Sequence, residues 1–153
     1  MSKPSFVYVT YIRTRPEKLW RALIEPEFTR QYWFEVRQES EWKPGAPWRM
    51  TIPDGRVIDS GEVLEIEPHR RLVLSWRHEL DPELRGEGYS RMTYLLEPQG
   101  DTVKLTVVHE IDAPDSKFIA AVSTGWPQIL ASLKSLLETG APLEATRRWP
   151  KDM

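Results

Sequence analysis

Cysteine is absent from this 153-residue chain, which removes disulfide stapling, thiolate catalysis and sulfur-ligated metal from its chemistry. No apolar run approaches the roughly 18 residues that a membrane-spanning helix requires. The opening Met1, Ser2, Lys3, Pro4 is not followed by the apolar core of a signal peptide. A soluble, cytoplasmic protein without membrane insertion is the expectation. Histidine is scarce, with His69, His78 and His109 the whole supply, and no His-Glu-x-x-His or aspartate-rich calcium loop occurs. Glycine shows neither dinucleotide nor phosphate-loop spacing, and no serine sits at a strand-to-helix nucleophile elbow. Neither a metal nor a cofactor is expected. The net charge is only -2, with acids and bases intermixed, so the sequence presents no nucleic-acid surface.

Tryptophan is what the chain has in excess: seven, spread from Trp20 to Trp149. Each ring brings a large apolar area and one N–H that needs a partner when buried. Such rings suit an aromatic-lined cavity and plain core packing equally well.

The hydrophobic period divides the chain. Residues 6–12 are β-branched and aromatic and read as a first strand, both of whose alternating sets are partly apolar. Thr14, Arg15, Pro16 and Glu17 have the pattern of a capping box, opening a short helix with the stripe Leu19, Trp20, Leu23. Pro26 breaks it and starts a second helical stretch that turns Phe28, Tyr32 and Trp33 inward. From Glu35 the period is two. Trp48, Met50 and Ile52 share a face. Residues 57–67 carry Val57, Val63, Leu64 and Ile66, and Gly61 marks a bulge or a close backbone approach where the phase slips. Leu72, Leu74, Trp76 and His78 point one way, as do Met92, Tyr94 and Leu96, and then Val103, Leu105, Val107 and His109. Residues 81–88 read as an exposed polar loop, either a mobile edge of a pocket or a plain connection. Residues 118–122 are compatible with a short helix.

Residues 125–140 read as one long amphipathic helix, with Trp126, Ile129, Leu130, Leu133, Leu136 and Leu137 on its apolar face. Pro127 suits its first turn and Gly140 the left-handed position past its end. The expected domain is 1–140, followed by a loosely held polar tail, 141–153. The fold class is α+β: a curved antiparallel sheet of about six or seven strands gripping the long helix, with two short helices after the first strand.

These segments also resemble a known superfamily, the START-like (SRPBCC, helix-grip) proteins, and within it the group related to the C-terminal domain of the Hsp90 ATPase activator Aha1. The similarity runs over residues 7–140. It is carried by Pro16 through Leu23, the Tyr32-Trp33 pair, residues 61–68 with 72–76, residues 102–110, and Gly125-Trp126-Pro127 through Gly140. The resemblance implies a scaffold shared by co-chaperone domains, lipid and hormone carriers and aromatase/cyclase enzymes. Co-chaperones of this kind carry a separate N-terminal domain that contacts the chaperone. None is recognisable in this sequence, so direct activation of an Hsp90-type partner is not the leading expectation.

The leading expectation is a non-enzymatic cavity between sheet and helix that takes an apolar or aromatic small molecule. Its lining would be Trp48, Met50, Trp76, His78, Met92, Tyr94, Leu105, His109, Trp126, Leu130 and Leu133. The alternative is a cyclase, aromatase or hydrolase in which His78 and His109, near the ends of their inward stripes, move protons. An interaction module and a homodimer complete the set of expectations.

Overall fold

The computed structural model describes residues 4–150. Seven strands form one sheet in the order β1-β7-β6-β5-β4-β3-β2, with every neighbouring pair antiparallel. In chain order they are β1 (Ser5–Ile12), β2 (Arg37–Ser40), β3 (Pro47–Thr51), β4 (Val57–Glu67), β5 (Arg71–His78), β6 (Ser90–Gln99) and β7 (Thr102–Glu110). Between β1 and β2 lie helices α1 (Pro16–Ile24) and α2 (Pro26–Tyr32). A short α3 (Pro82–Arg85) joins β5 to β6, and α4 (Lys117–Thr139) follows β7. The sheet is curved and α4 lies in its grip. The single core runs from Leu19, Leu23 and Tyr32 through Met50, Leu74, Met92 and Leu105 to Leu130 and Leu133, all almost fully buried.

Several local expectations change. Arg15, not Thr14, is the N-cap of α1, and no side chain caps it. Pro16 occupies the first helical position, so Thr14 stands one residue too early to reach the free N–H groups, and its hydroxyl is buried without a partner.

The long helix begins at Lys117, so residues 118–122 and 125–140 form one element and Pro127 is interior. The start is fixed by two acceptors. Ser116 Oγ accepts from Ile119 N at 3.0 Å, and the Glu87 carboxylate accepts from the backbone N–H of Lys117 at 2.8 Å and of Phe118 at 3.3 Å. A carboxylate at a helix N-terminus also complements the helix dipole. The helix thus continues past a proline that removes one intrahelical bond. It ends as expected at Gly140, whose φ is 88°.

The loop expected over 81–88 is consequently not free. It folds into α3, with Asp81 capping Glu83 N, and Glu83 pairs with Lys117. The segment after Gly140 is held as well over its described part. Leu143 N donates to Ser132 Oγ at 2.9 Å, and Phe34 N donates to the Thr146 carbonyl at 2.7 Å.

The β4 strand carries the irregularity that shapes the site. Met50 faces Asp59 and Thr51 faces Val57, so Ile58 is an extra residue; a second slip falls at Leu64, between Val63 and Glu65. Between the two, Gly61 is the point of close approach. A Cβ built on it would lie 1.8 Å from the Ser75 carbonyl oxygen, the atom that accepts the Trp48 indole N–H at 2.8 Å. Gly61→Ala is therefore expected to lower the unfolding free energy by at least about 2 kcal/mol, because backbone rather than a flexible side chain must move. Urea denaturation checks this.

Candidate functional site

The inward stripes of β5 and β7 bring His78 and His109 to the same side of the sheet but to different surroundings. His109 is completely buried. Its Nδ1 accepts the Trp126 indole N–H at 3.1 Å. Indole nitrogen only donates, so Nδ1 carries no proton and the ring proton sits on Nε2. Nε2–H then donates to Ser90 Oγ at 2.8 Å, and the Ser90 hydroxyl donates to the Trp76 carbonyl at 2.8 Å. Both nitrogens are consumed inside the core. Burial pushes the His109 pKa down to about 3, so the ring is neutral at any ordinary pH.

Phe118 and Trp76 close over the same ring, with centroids 5.0 and 5.2 Å away. Further rings extend the cluster: Trp48 lies 4.7 Å from Trp76, and Trp33 lies 5.2 Å from Trp126. This aromatic layer fills the space beneath it. Trp48, Met50, Met92, Tyr94, Leu105, Leu130 and Leu133 are packed in the core, and none of them, nor His109, lines the cleft described next.

Above the layer an open cleft of about 650 Å³ remains between α4, α3 and the β4–β5 end of the sheet. Of the residues expected from sequence, Trp76, His78 and Trp126 line it. Sequence reasoning missed Trp33, Phe34, Arg56, Asp59, Leu80, Asp81, Leu84, Phe118, Ala121, Val122, Gly125, Ile129 and Trp149. Trp33 was legible as an inward residue, and the slip around Gly61 was the available signal for Asp59. Trp149 had none, because it arrives from the segment read as tail.

Gly125 is notable for what surrounds it. A Cβ there would meet only Ile129 Cδ1, at 4.0 Å, so no close packing requires glycine. Glycine inside a helix costs about 1 kcal/mol relative to alanine, and here the missing side chain leaves space in the cleft wall.

The cleft's polar end is a hydrogen-bonded pair. Asp59 stands directly opposite His78 in the β4–β5 ladder, and Asp59 Oδ1 lies 3.2 Å from His78 Nδ1. The hydrogen bond from Asp59 raises the pKa of His78, and burial raises that of Asp59. The shift that governs the contact is the upward one of His78, whose Nδ1–H the Asp59 carboxylate favours. The Trp76 indole N–H lies near enough to favour the charged form of Asp59, yet it is buried without reaching a proper hydrogen bond. Nδ1 being taken, Nε2 of His78 is the ring nitrogen without a protein partner.

Among the described residues no group of three or more His, Asp or Glu converges to hold a metal ion. No helix among them is long and apolar enough to cross a membrane.

Comparison with known proteins places this architecture. The family described as Activator of Hsp90 ATPase homolog 1-like protein matches residues 13–138. The chain belongs to this family. No curated protein matches the chain in sequence. Among solved structures it is similar to protein MLL2253 from Mesorhizobium loti, at 27% identity and a TM-score of 0.74, covering 88% of this chain and 96% of that one. It is also similar to ChR145 from Cytophaga hutchinsonii, at 25% identity and a TM-score of 0.72 over 92% and 98% of the two chains. The Aha1 dimer from Colwellia psychrerythraea shares the fold, with 19% identity, a TM-score of 0.71 and coverage of 89% and 97%. Membership agrees with the helix-grip arrangement of seven strands and α4 and leaves the chemistry to the residues themselves.

The buried His109 generates a pH test. Its ordinary pKa of 6.5 applies in the unfolded chain and about 3 in the folded one. Between those values the unfolded state binds the extra proton, so stability is complete above 6.5 and is lost as pH falls toward 3. Relative to His109→Gln, whose amide can make the same two hydrogen bonds without titrating, the wild type should lose about 1.4 kcal/mol per pH unit below 6.5. Chemical denaturation of both proteins across that range checks it.

Proposed function

We propose that the protein binds an apolar or aromatic small molecule in the cleft between α3, α4 and the β4–β5 end of the sheet. The observation that carries the reading is a 650 Å³ space walled by Trp33, Phe34, Trp76, Phe118, Trp126 and Trp149, with a helical glycine, Gly125, leaving it open. Its size lies in the range of small-molecule sites. Removing a ligand's apolar surface from water supplies about 25 cal/mol per Å², less the entropy of association. The binding region is the open end of the interior rather than its centre, so Trp76, His78 and Trp126 remain in the proposed set.

The direct test is saturable binding of an apolar fluorescent probe, followed by quenching of the tryptophans and by native mass spectrometry. Gly125→Leu is expected to weaken that probe at least about tenfold while leaving the protein no less stable, because a helix-favouring side chain then occupies the cleft. A probe that binds this variant as tightly as wild type is not in the cleft.

A second reading, proton-transfer catalysis, has one observation in its favour. Asp59 fixes Nδ1–H of His78 and leaves Nε2 to the cleft, which is how a carboxylate orients a histidine base. Under that reading His78→Gln lowers kcat for a cleft substrate at least about a hundredfold with little change in KM, because binding is retained. His109 has no free nitrogen with which to share that role.

A further inference from the structure

The walls of the cleft are largely apolar, and the charged or titratable side chains among them are Arg56, Asp59, His78 and Asp81. Asp59, the buried acceptor, is engaged by His78. Nε2 of His78, on a residue that lines the cleft, has no protein partner among the described residues and is a donor while the ring is protonated. The unpartnered Nε1 of Trp76, two residues away on the same face of β5, is sealed beside Asp59 and does not reach the cleft. A pure hydrocarbon lodged in the cleft strips water from Nε2 of His78 and returns nothing, whereas an oxygen acceptor satisfies it.

We propose that this cleft selects apolar molecules that carry a carbonyl oxygen, which accepts from Nε2 of His78 while the rest of the molecule lies among the aromatic walls. The inference rests on the reading of the cleft as a small-molecule site and adds the chemical class of the ligand.

Selection is linked to the protonation of His78. Facing its ring are Asp59 from β4, Glu79 from β5 and Asp81 at the cap of α3. Arg77 and Arg85 neutralise Glu79, and Arg56, also at the cleft, pairs with Asp54. The α4 residues at the cleft bring no titratable group. The acids raise the affinity of His78 for its proton, so Nε2 stays a donor to higher pH than in a free imidazole. Above that raised pKa Nδ1–H stays on Asp59 and Nε2 becomes a lone pair, which repels a carbonyl. Carbonyl affinity therefore falls as pH rises through the pKa of His78.

A matched pair of neutral probes decides the question: 2-acetylnaphthalene and 2-ethylnaphthalene, nearly equal in shape and neither titratable. Affinities for wild-type protein are measured by calorimetry from mildly acidic to alkaline solution, and then for His78→Phe. The expected result is a preference of about tenfold or more for the ketone at the acidic end. That preference shrinks with rising pH and disappears in His78→Phe, while affinity for the hydrocarbon stays. Equal affinity of the wild type for both probes at every pH overturns the proposal and leaves the cleft reading standing. Failure of both probes to bind overturns both. A ketone preference that survives His78→Phe overturns the assignment to His78. If a variant does not fold, the wild-type comparison and its pH dependence are decisive by themselves.

Discussion

One directed hydrogen-bond chain holds the helix to the sheet, running from the Trp126 indole to His109, from His109 to Ser90, and from Ser90 to the Trp76 carbonyl. It links α4 to β7, β6 and β5 in a region sealed from water, where an unmade bond is expensive and a made one is specific. The pairing accepts only one tautomer, because the indole N–H can only donate. With His109 fixed, the rings of Trp126, Phe118 and Trp76 are fixed around it. Their tight layer divides the interior into a solid lower core and an open upper cleft.

The cleft then follows from two ways of keeping space open. The first is the start of α4. Glu87 and Ser116 hold Lys117, Phe118 and Ile119 in place, so the first half of the helix forms a wall of the cleft. The second is Gly125, which presents no side chain at the wall. Across the opening, the extra residue at Ile58 turns both Ile58 and Asp59 inward. A buried carboxylate without a hydrogen-bond donor would be severely destabilising, and His78, directly opposite, supplies that donor through Nδ1. The polar end of the cleft is therefore a by-product of strand register as much as of residue choice.

The two histidines illustrate how much of the site was legible. Both lay on the correct phase, and period-two alternation predicted that both face inward. Alternation does not say which layer lies above them. His109 meets Trp126 and Phe118 because α4 begins at Lys117, eight residues before the start that Gly125 and Pro127 suggested from sequence. His78 meets Asp59 because of the slip in β4. Proline within a helix is usually read as a boundary, and here caps from another segment outweighed it. Those caps come from Glu87, about thirty residues earlier in the chain, a separation that no local rule spans.

By itself the sequence determined the order of the strands and of α1, α2 and the long helix, the inward faces of β3, β5, β6 and β7, the break at Gly61 and the left-handed end at Gly140, because these depend on short-range sterics and on a hydrophobic period of two or 3.6. The same patterns carried the family. The tertiary structure alone decided that the middle of the interior is filled, that His109 is sealed in the core while His78 lines the cleft, and that Asp59 and Trp149 line it too. Those outcomes depend on packing between segments far apart in the chain. There the volume of rings and the need to satisfy every buried polar group choose among arrangements that local pattern leaves equal.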